Sequence, residues 1–574
     1  MRRTLLRTAF TLALFLSTVT CGAPKATPTP ATPTPAVSPA PTTTSAPGPI
    51  TVPTAVAIPV SVVWARQFGT PDEDRARGVA LDSAGNIYIA GDTWSGALPG
   101  QTSAGSWDAF TRRYDPNGKE IWVRQFGTPD EDRARGVAVD SAGNSYIVGE
   151  TGGSLPGQAS AGKSDAFVRK YDPNGTEVWT RQFGTPDEDT AAGVAVDSGG
   201  NFYVAGDTLG SLPGQTSAGS YDAFVRKYDP NGKEISTRQF GTSDVDRARG
   251  IALDSAGNLY IVGDTLGSLP GQTSAGKSDA FVRKYDPNGT EVWTRQFGTS
   301  DVDTTAGVAV DNAGNFYIAG DTLGSLPGQT SAGSYDAFVR KYDPNGKEIW
   351  TRQFGTPLPD VDTAAGVAVD SAGDIYIAGT AFGSLPRQAA LGLTDAFVRK
   401  YAPDGKEIWT RQFGTAVTDS ARGVAVDSAG NFYIVGETNG TLRGQASAGK
   451  SDAILLLAGP SVPSVPLDPS DTTPPVVTWV GYFGRNWETT SIAWNTDEPT
   501  IGRVEYGIWR GPTPEYEMIT EWTEEPDTTG AVTLTELEFL VTYQYRVRVK
   551  DAGGNEAVSE NKSFYTYVHG FVNP

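Results

Sequence analysis

The chain has 574 residues, a formal net charge of −20, one His and one Cys. These counts exclude an intrachain disulfide, a zinc site and catalysis by a Ser–His–Asp or Cys–His pair, because the sole histidine, His569, lies close to the C-terminus. The acidic balance argues against a nucleic-acid partner, since such binding depends on Lys and Arg, and we expect no cofactor.

The N-terminus has the pattern of an export signal over residues 1–20. Three arginines are followed by an apolar core at residues 9–19, which is shorter than the about 20 residues needed to span a bilayer. Cys21 follows directly, and the segment resembles a bacterial lipoprotein signal, which implies lipidation of that cysteine. A plain secretory signal is the alternative. We therefore predict an exported protein of the cell envelope, attached to a membrane only through a lipid anchor or otherwise secreted.

The next segment, residues 21–59, is rich in Pro and Thr. Such a composition cannot bury enough apolar surface to fold and favours an extended polyproline II conformation. It predicts a stalk or a simple linker.

The middle of the chain is an internal repeat. The tag Q-F-G-T recurs at intervals of 57 to 59 residues. Its phenylalanines are Phe68, Phe126, Phe183, Phe240, Phe297, Phe354 and Phe413. A fixed period of this size is typical of a solenoid or a propeller.

The sequence of each repeat unit predicts four antiparallel strands. In one unit they cover residues 193–197, 202–207, 222–229 and 233–241, separated by turn sequences such as D-P-N-G. The array begins with a lone fourth strand and ends without one. We predict that these ends combine, so that residues 60–460 form a closed all-β propeller of seven four-stranded blades.

Three motifs carry a family resemblance: G-V-A-V-D-S-A-G-N, D-A-F-V-R-K-Y-D-P-N-G and W-T-R-Q-F-G-T. They resemble the seven-bladed beta-propeller repeat (SBBP) family of bacterial secreted proteins. The resemblance implies the propeller fold and says little about activity, because that family is defined by structure.

A second, smaller domain follows a linker at residues 461–475. Residues 476–574 contain about seven short apolar alternations, which predict a β-sandwich. The segment resembles a fibronectin type III domain, which implies that Trp494 lies in the core and that Tyr543 or Tyr545 is a corner tyrosine.

One face of the ring carries the candidate ligand-binding residues. We expect the loops after the second and fourth strands to share this upper face. Arginines just before the innermost strands form an arc that suits an anionic ligand such as an acidic polysaccharide, or pair with neighbouring acids. Aromatic rings on the same face either stack on sugars or cover the loop base. The candidates are Arg75, Arg77, Arg133, Arg135, Arg422, Trp94, Trp107, Tyr221 and Tyr335.

Acidic loops on the same face are weak calcium candidates. Asp187, Asp189 and Asp207 could supply oxygen ligands, but the loops lack the spacing of a calcium-binding loop. We favour a solvated loop in which the Asp side chains accept backbone N–H groups, and we predict no metal site.

The repetition itself favours binding over catalysis. Seven nearly identical blades suit multivalent weak binding, whereas an active site needs different groups at one place. We predict a monomeric, non-enzymatic surface binding or scaffold protein for an extracellular polymer or protein. The alternatives are a polysaccharide-degrading hydrolase or lyase and a purely structural envelope spacer.

Overall fold

The computed structural model describes residues 60–460, apart from 358–360, 387, 389 and 443. It also describes residues 473–566, with gaps at 484–489, 512–515, 521, 524–526, 536, 539–540 and 552–553. The predicted export signal, Cys21 and the stalk lie outside the described residues. No helix in the described part of the chain is long and apolar enough to cross a bilayer.

Seven four-stranded antiparallel sheets form the blades, and in six of them the strands follow one another in chain order. Strand β1 (Val60–Phe68) precedes blade one but belongs to blade seven. Blade one contains β2 (Asp74–Leu81), β3 (Ile87–Trp94), β4 (Trp107–Tyr114) and β5 (Glu120–Phe126). Blade two contains β6 (Asp132–Val139), β7 (Ser145–Thr151), β8 (Asp165–Tyr171) and β9 (Glu177–Phe183).

The remaining blades repeat this plan. Blade three contains β10 (Asp189–Val196), β11 (Phe202–Thr208), β12 (Asp222–Tyr228) and β13 (Glu234–Phe240). Blade four contains β14 (Asp246–Leu253), β15 (Leu259–Thr265), β16 (Asp279–Tyr285) and β17 (Glu291–Phe297). Blade five contains β18 (Asp303–Val310), β19 (Phe316–Thr322), β20 (Asp336–Tyr342) and β21 (Glu348–Phe354). Blade six contains β22 (Thr363–Val369), β23 (Ile375–Ala381), β24 (Asp395–Tyr401) and β25 (Glu407–Phe413). Blade seven contains β26 (Asp419–Val426), β27 (Phe432–Thr438), β28 (Asp452–Pro460) and β1.

The ring closes through β1, as the sequence predicted. This strand pairs antiparallel with β28 from Val60 opposite Pro460 to Phe68 opposite Ala453. The Gln67 amide also donates to the Gly440 carbonyl at 2.7 Å, and its oxygen accepts the Leu442 N–H at 2.8 Å. In blade one, Gln125 makes the same two contacts with Gly96 and Leu98. The closing blade therefore has the internal hydrogen bonds of an ordinary blade.

The first strand of each blade lines a narrow central channel. A cavity of about 180 Å³ there is bordered by one Gly and one Val or Ile from each blade, beginning with Gly78 and Val79. A Cβ on Gly78 would lie 3.2 Å from the Val137 backbone nitrogen. Glycine therefore allows the innermost strands of neighbouring blades to approach each other closely.

The innermost strands begin earlier than predicted. The sequence placed the arginines just before these strands, but β2 starts at Asp74, so Arg75 and Arg77 lie within it. Asp74 pairs with Thr93 and Arg75 pairs with Asp92, and the register then shifts between Ala76 and Gly78. Arg77 is thus the extra residue of a β-bulge, which redirects its side chain. The polar sequence of this segment hid its strand character.

The C-terminal region consists of β29 (Val477–Phe483), β30 (Thr490–Ile508), β31 (Met518–Ile519), β32 (Asp527–Leu534), β33 (Thr542–Lys550), β34 (Glu556–Val558) and β35 (Lys562–Tyr565). The long strand β30 pairs with β29 and β32 through its first half and with β31 and β33 through its second half. Trp494 is buried in the apolar core, as predicted. The Tyr543 hydroxyl accepts the N–H of Glu538 at 2.9 Å.

Candidate functional site

A buried aspartate stabilises each upper loop that leads into an innermost strand. The Asp74 carboxylate accepts the backbone N–H of Thr70 at 2.6 Å and the Thr70 hydroxyl at 3.1 Å. Burial raises the pKa of Asp74 to about 6. The same contact to a threonine recurs at Asp132, Asp189, Asp246, Asp303, Asp362 and Asp419. These acids are part of the structural framework of the ring.

The three calcium candidates do not converge on one cation position. Asp189 is buried and bonded to Thr185, while Asp187 pairs with Lys163 at 2.9 Å. Asp207 lies at the end of β11, 3.9 Å from the Nε of Arg247. Among the described residues, no group of three or more His, Cys, Asp or Glu side chains has metal-binding geometry.

The inner arginines form ion pairs around the channel mouth. Arg77 pairs with Asp92, an acid at the end of the second strand of the same blade, and Asp92 is fully buried. Each of the other pairs joins the same two strand positions of its own blade. They are Arg135 with Glu150, Arg249 with Asp264 at 2.7 Å and Arg422 with Glu437 at 2.5 Å.

Blades three, five and six lack the inner arginine. Blades three and five keep the acid, as Asp207 and Asp321, opposite strands that carry alanine at the arginine position. Burial raises the pKa of both carboxyl groups to about 6, although Arg247 and Arg249 oppose the shift at Asp207. Blade six has lost both partners and carries Ala365 and Thr380. Charge is therefore distributed unevenly around the channel mouth, because the inner arginines come only from blades seven, one, two and four.

The outer arginines surround one tryptophan. Arg75 pairs with Glu73 at 2.7 Å, and Arg133 of the next blade pairs with Glu131 at 2.8 Å. The Cζ atoms of these two arginines lie 4.8 and 5.1 Å from the centroid of the Trp107 ring. Such cation–π contacts, together with the ion pairs, hold Trp107 in place at the junction of blades one and two.

Trp94 lies beside this cluster and is exposed. Its ring meets Trp107 edge to face, with centroids 5.0 Å apart and an angle of 76°. The two tryptophans also form the last backbone pair between β3 and β4. Ser95 follows with φ of 53°, the sole positive value at a non-glycine residue within the described ranges. Blade one therefore has an irregular loop at the point where it presents an aromatic ring.

The two tyrosine candidates lie elsewhere on the rim. The Tyr221 hydroxyl donates to Glu188 at 2.5 Å, and Arg247 lies over its ring at 4.9 Å. Tyr335 forms a bridge with Val361 in the upper loop leading to blade six. The structure thus brings Trp94, Trp107, Arg75 and Arg133 together, and it places the tyrosines in blades three and five.

A match to a family model agrees with this architecture. The model of the beta-propeller repeat SBBP matches residues 63–99, 121–156, 178–213, 237–270, 292–327, 349–386 and 408–442. The ring is built from seven SBBP repeats. The similarity that the sequence suggested is therefore confirmed for the propeller.

Two curated proteins are similar to the SBBP chain. Regulatory protein FlaEY of Caulobacter vibrioides is 28% identical over 400 residues, which cover 60% of this chain and 41% of that protein. An uncharacterized WD repeat-containing protein of Acanthamoeba polyphaga mimivirus is 21% identical over 457 residues, which cover 66% of this chain and 31% of that protein. This chain thus spans less than half the length of either relative.

Solved structures show only a distant likeness to the SBBP chain. Puromycin hydrolase aligns over 73% of this chain and 58% of its own, with a TM-score of 0.38 and 12% identity. An α-L-arabinanase from Penicillium chrysogenum aligns over 69% and 98%, with a TM-score of 0.34 and 10% identity. A likeness this distant does not indicate any activity for this chain.

Sequence reasoning on the SBBP repeats left open whether the arginines pair with neighbouring acids, and it did not identify which acid each arginine meets. Glu73 and Glu131 each precede an arginine by two positions in blades one and two, and the structure pairs them. Ser95 was also missed. The extra residue in the first repeat interval, 58 rather than 57, marks the loop that contains it.

Proposed function

We propose that this protein is an exported, non-catalytic binding or scaffold protein that uses the upper face of its ring. One observation carries the proposal. The repeated polar groups of that face are engaged within the ring, as Asp74 with Thr70 and Gln67 with Gly440 illustrate. Four of the groups that differ between blades, Arg75, Trp94, Trp107 and Arg133, are gathered at the junction of blades one and two. Polar groups that are already hydrogen-bonded within the ring are not free to act on a substrate. This face therefore suits a stable binding platform better than a reaction centre.

Two modes of binding are consistent with a propeller. Identical loops in seven blades would give several weak, equivalent contacts. A blade-specific rim would give one site. We favour the rim around Trp107, because the equivalent residue is Ser in blades two, four and seven, Thr in blade six and Tyr in blades three and five.

An acidic polysaccharide at the arginine arc is the competing proposal. Its carboxylates would have to displace Asp92, Glu150 and Glu437, which already accept hydrogen bonds from the inner arginines. A buried carboxylate left without its cation is costly. This competition weakens the arc as an anion site.

A binding and turnover screen tests the proposed function. The full chain is incubated with neutral and acidic envelope and cell-wall polysaccharides, and both retention of protein and release of sugar fragments are measured. We expect saturable binding without new reducing ends or unsaturated products. Fragment release would favour the hydrolase or lyase alternative, and absence of binding to every polymer would favour a structural spacer.

We also propose that Cys21 carries a lipid anchor. The support is a single cysteine placed directly after an export signal. In the native host, Cys21→Ala should move the protein from the membrane fraction to the soluble fraction. An intact mass of the wild-type protein without acyl chains would disprove the anchor.

We further propose that the C-terminal region is a fibronectin type III-like module. The support is the buried Trp494 and the hydroxyl of Tyr543, which bonds to the backbone five residues upstream in the manner of a tyrosine corner. Limited proteolysis of the full chain should cleave within residues 461–475 and leave both fragments resistant. Rapid degradation of the C-terminal fragment would argue against a folded module.

A further inference from the structure

The junction of blades one and two exposes a tryptophan ring, Trp94, and no other blade has a tryptophan at the equivalent position. Trp94 is 38% exposed as a residue, although large aromatic residues are usually covered. The equivalent position, directly after the residue aligned with Thr93, is occupied by Gly152, Leu209, Leu266, Leu323, Phe382 and Asn439 in blades two to seven, and Phe382 is half-buried. No other large apolar side chain of the described residues is exposed on the upper loops of blades one and two. Trp94 is therefore an isolated ring, not part of an apolar patch.

The ring is held in a fixed orientation. Its edge-to-face contact with Trp107 is backed by two guanidinium groups over Trp107, and the latter is only 5% exposed. The backbone adds rigidity, because the Ser95 N–H donates to the Ser106 carbonyl at 2.5 Å. The positive φ of Ser95 costs free energy, and such local strain is common where a loop presents a functional group. A rigid ring loses little entropy when a ligand stacks on it.

The polar groups around the ring suit a ligand with many hydroxyls. Glu73 and Glu131 are half exposed and pair with Arg75 and Arg133. Each pair offers N–H donors and carboxylate acceptors side by side, and a sugar hydroxyl both donates and accepts. An apolar peptide would cover these charged pairs without bonding to them.

The local charge favours an uncharged ligand. Glu73 and Glu131 offset the charges of Arg75 and Arg133, Asp130 in the same loop is also exposed, and the whole chain has a net charge of −20. The exposed carboxylates of Glu73 and Glu131 would repel a polyanion at short range, and the remaining acids would oppose its approach. A neutral sugar ring meets neither penalty.

We propose that the junction of blades one and two is a binding site for a neutral polysaccharide, in which Trp94 stacks against the face of one sugar ring and the two Glu–Arg pairs bond to its hydroxyls. This inference rests on the proposed binding function and names its ligand class. The stacking ring distinguishes the site from the arginine arc, where charge would provide the affinity.

The test uses the full chain and four variants. Trp94→Ala removes the ring, and Trp94→Phe keeps an aromatic face. Leu266→Ala is the matched control, because Leu266 holds the equivalent position in blade four and is also exposed, at 44%. Arg135→Ala tests the inner arc. Affinity electrophoresis and calorimetry use soluble β-glucan, xylan and galactomannan as neutral probes, and alginate and polygalacturonate as acidic probes.

We expect a neutral probe to bind with an affinity that hardly changes between 0.05 and 0.5 M salt. Trp94→Ala should weaken that binding by about tenfold or more, since stacking of one aromatic ring accounts for such a change. Trp94→Phe should retain most of the affinity, and Leu266→Ala should leave it unchanged. Thermal melting of the two Trp94 variants should fall by no more than a few degrees, because the ring loses only its contact with Trp107.

Three results would overturn the inference. Binding of a probe with equal affinity by wild type and Trp94→Ala would leave the proposed binding function intact but remove this site. Salt-sensitive binding of the acidic probes alone, lost in Arg135→Ala, would assign the ligand to the arc. Failure of every probe to bind would overturn both the site and the polysaccharide ligand.

Discussion

Arg77 and Asp92 lie on neighbouring strands of blade one, and the guanidinium Nη2 is 3.3 Å from the Asp92 carboxylate Oδ2. A β-bulge at Arg77 brings its side chain to the carboxylate, and the Asp92 side chain is fully buried. The pair is repeated in blades two, four and seven, whereas blades three and five keep only the acid and blade six has neither residue. The differences between blades therefore suggest variants that measure how much the pair contributes to the stability of the ring.

Removing one member of this pair should destabilise the ring. We expect Arg77→Ala to lower the free energy of unfolding by about 3 kcal/mol, because Asp92 stays buried without a cation. The double variant Arg77→Ala, Asp92→Thr copies Ala365 and Thr380 of blade six and should recover most of that loss. Calorimetric melting of both variants measures the difference. Equal stability of single and double variants would mean that Asp92 does not need the arginine.

Buried carboxyl groups should make the ring more stable in mild acid. Burial raises the pKa of Asp207 to about 6, well above its value in an unfolded chain. Folding therefore favours the protonated form. The stabilisation that this carboxyl provides is complete below about pH 4 and is lost as the pH rises through about 6. We expect Asp207→Asn to gain about 2 to 3 kcal/mol over wild type at pH 8 and nothing at pH 4.

The control for this pH dependence is Asp244→Asn, which changes an exposed acid of a neighbouring upper loop. Melting temperatures are measured from pH 4 to pH 8. A parallel pH profile for Asp207→Asn and wild type would show that this carboxyl ionises in the ring as it does in the unfolded chain.

Blade three has a defect in its outer strand that one substitution should repair. Ser236 takes the place of a tryptophan found in the six other outer strands. Those tryptophans are Trp64, Trp122, Trp179, Trp293, Trp350 and Trp409. Trp179, for example, lies 3.1 Å from the position of a Cβ on Gly232 in the turn of the next blade. Beside Ser236, Tyr203 and Val225 are each 7% exposed, whereas Tyr260 and Val282 of blade four are fully buried.

We expect Ser236→Trp to stabilise the ring by about 1 to 2 kcal/mol by covering this apolar surface. Ser236→Ala should have almost no effect, and the reverse change Trp293→Ser should cost about 3 kcal/mol. Denaturant titration of the three variants measures whether a tryptophan at this position stabilises the ring. A destabilised Ser236→Trp protein would show that Arg238 or the turn of blade four already fills the space.

Ring closure should make one glutamine of β1 as important as its counterpart in blade one. Gln67→Ala removes hydrogen bonds to Gly440 and Leu442, and Gln125→Ala removes the equivalent bonds in blade one. We expect both variants to lose a similar amount of stability, about 1 to 3 kcal/mol. Deletion of residues 60–69 should cause a larger loss and aggregation, because it exposes the edge of β28. A truncated ring that melts like the intact ring would contradict closure.

The ring could be predicted from the sequence because the motifs that indicate it are short and recur in every repeat. The interval between Phe68 and its counterparts gives the blade, and the unmatched strands at the two ends of the array give closure. The start of the innermost strand was missed, because Asp74 to Arg77 carry no apolar alternation and pair only through a bulge.

The candidate site could be predicted only in part. Trp94 and Arg75 were found as residues that vary between blades. Their relationship to Trp107 depends on the register of β3 with β4 and on the neighbouring blade, which supplies Arg133. Such contacts between strands and blades are not encoded in the spacing along the chain. The pairing of Arg77 with Asp92 was left open for the same reason.

The stoichiometry of ligand binding tests most directly whether the ring is a non-catalytic platform with one blade-specific site. The full chain is titrated by calorimetry with hexasaccharides of β-glucan, xylan and mannan, and the mixture is then analysed for shortened sugars. We expect one hexasaccharide bound per chain and its complete recovery at the end. Several equivalent sites per chain, or sugars shorter than the hexasaccharide, would contradict this interpretation.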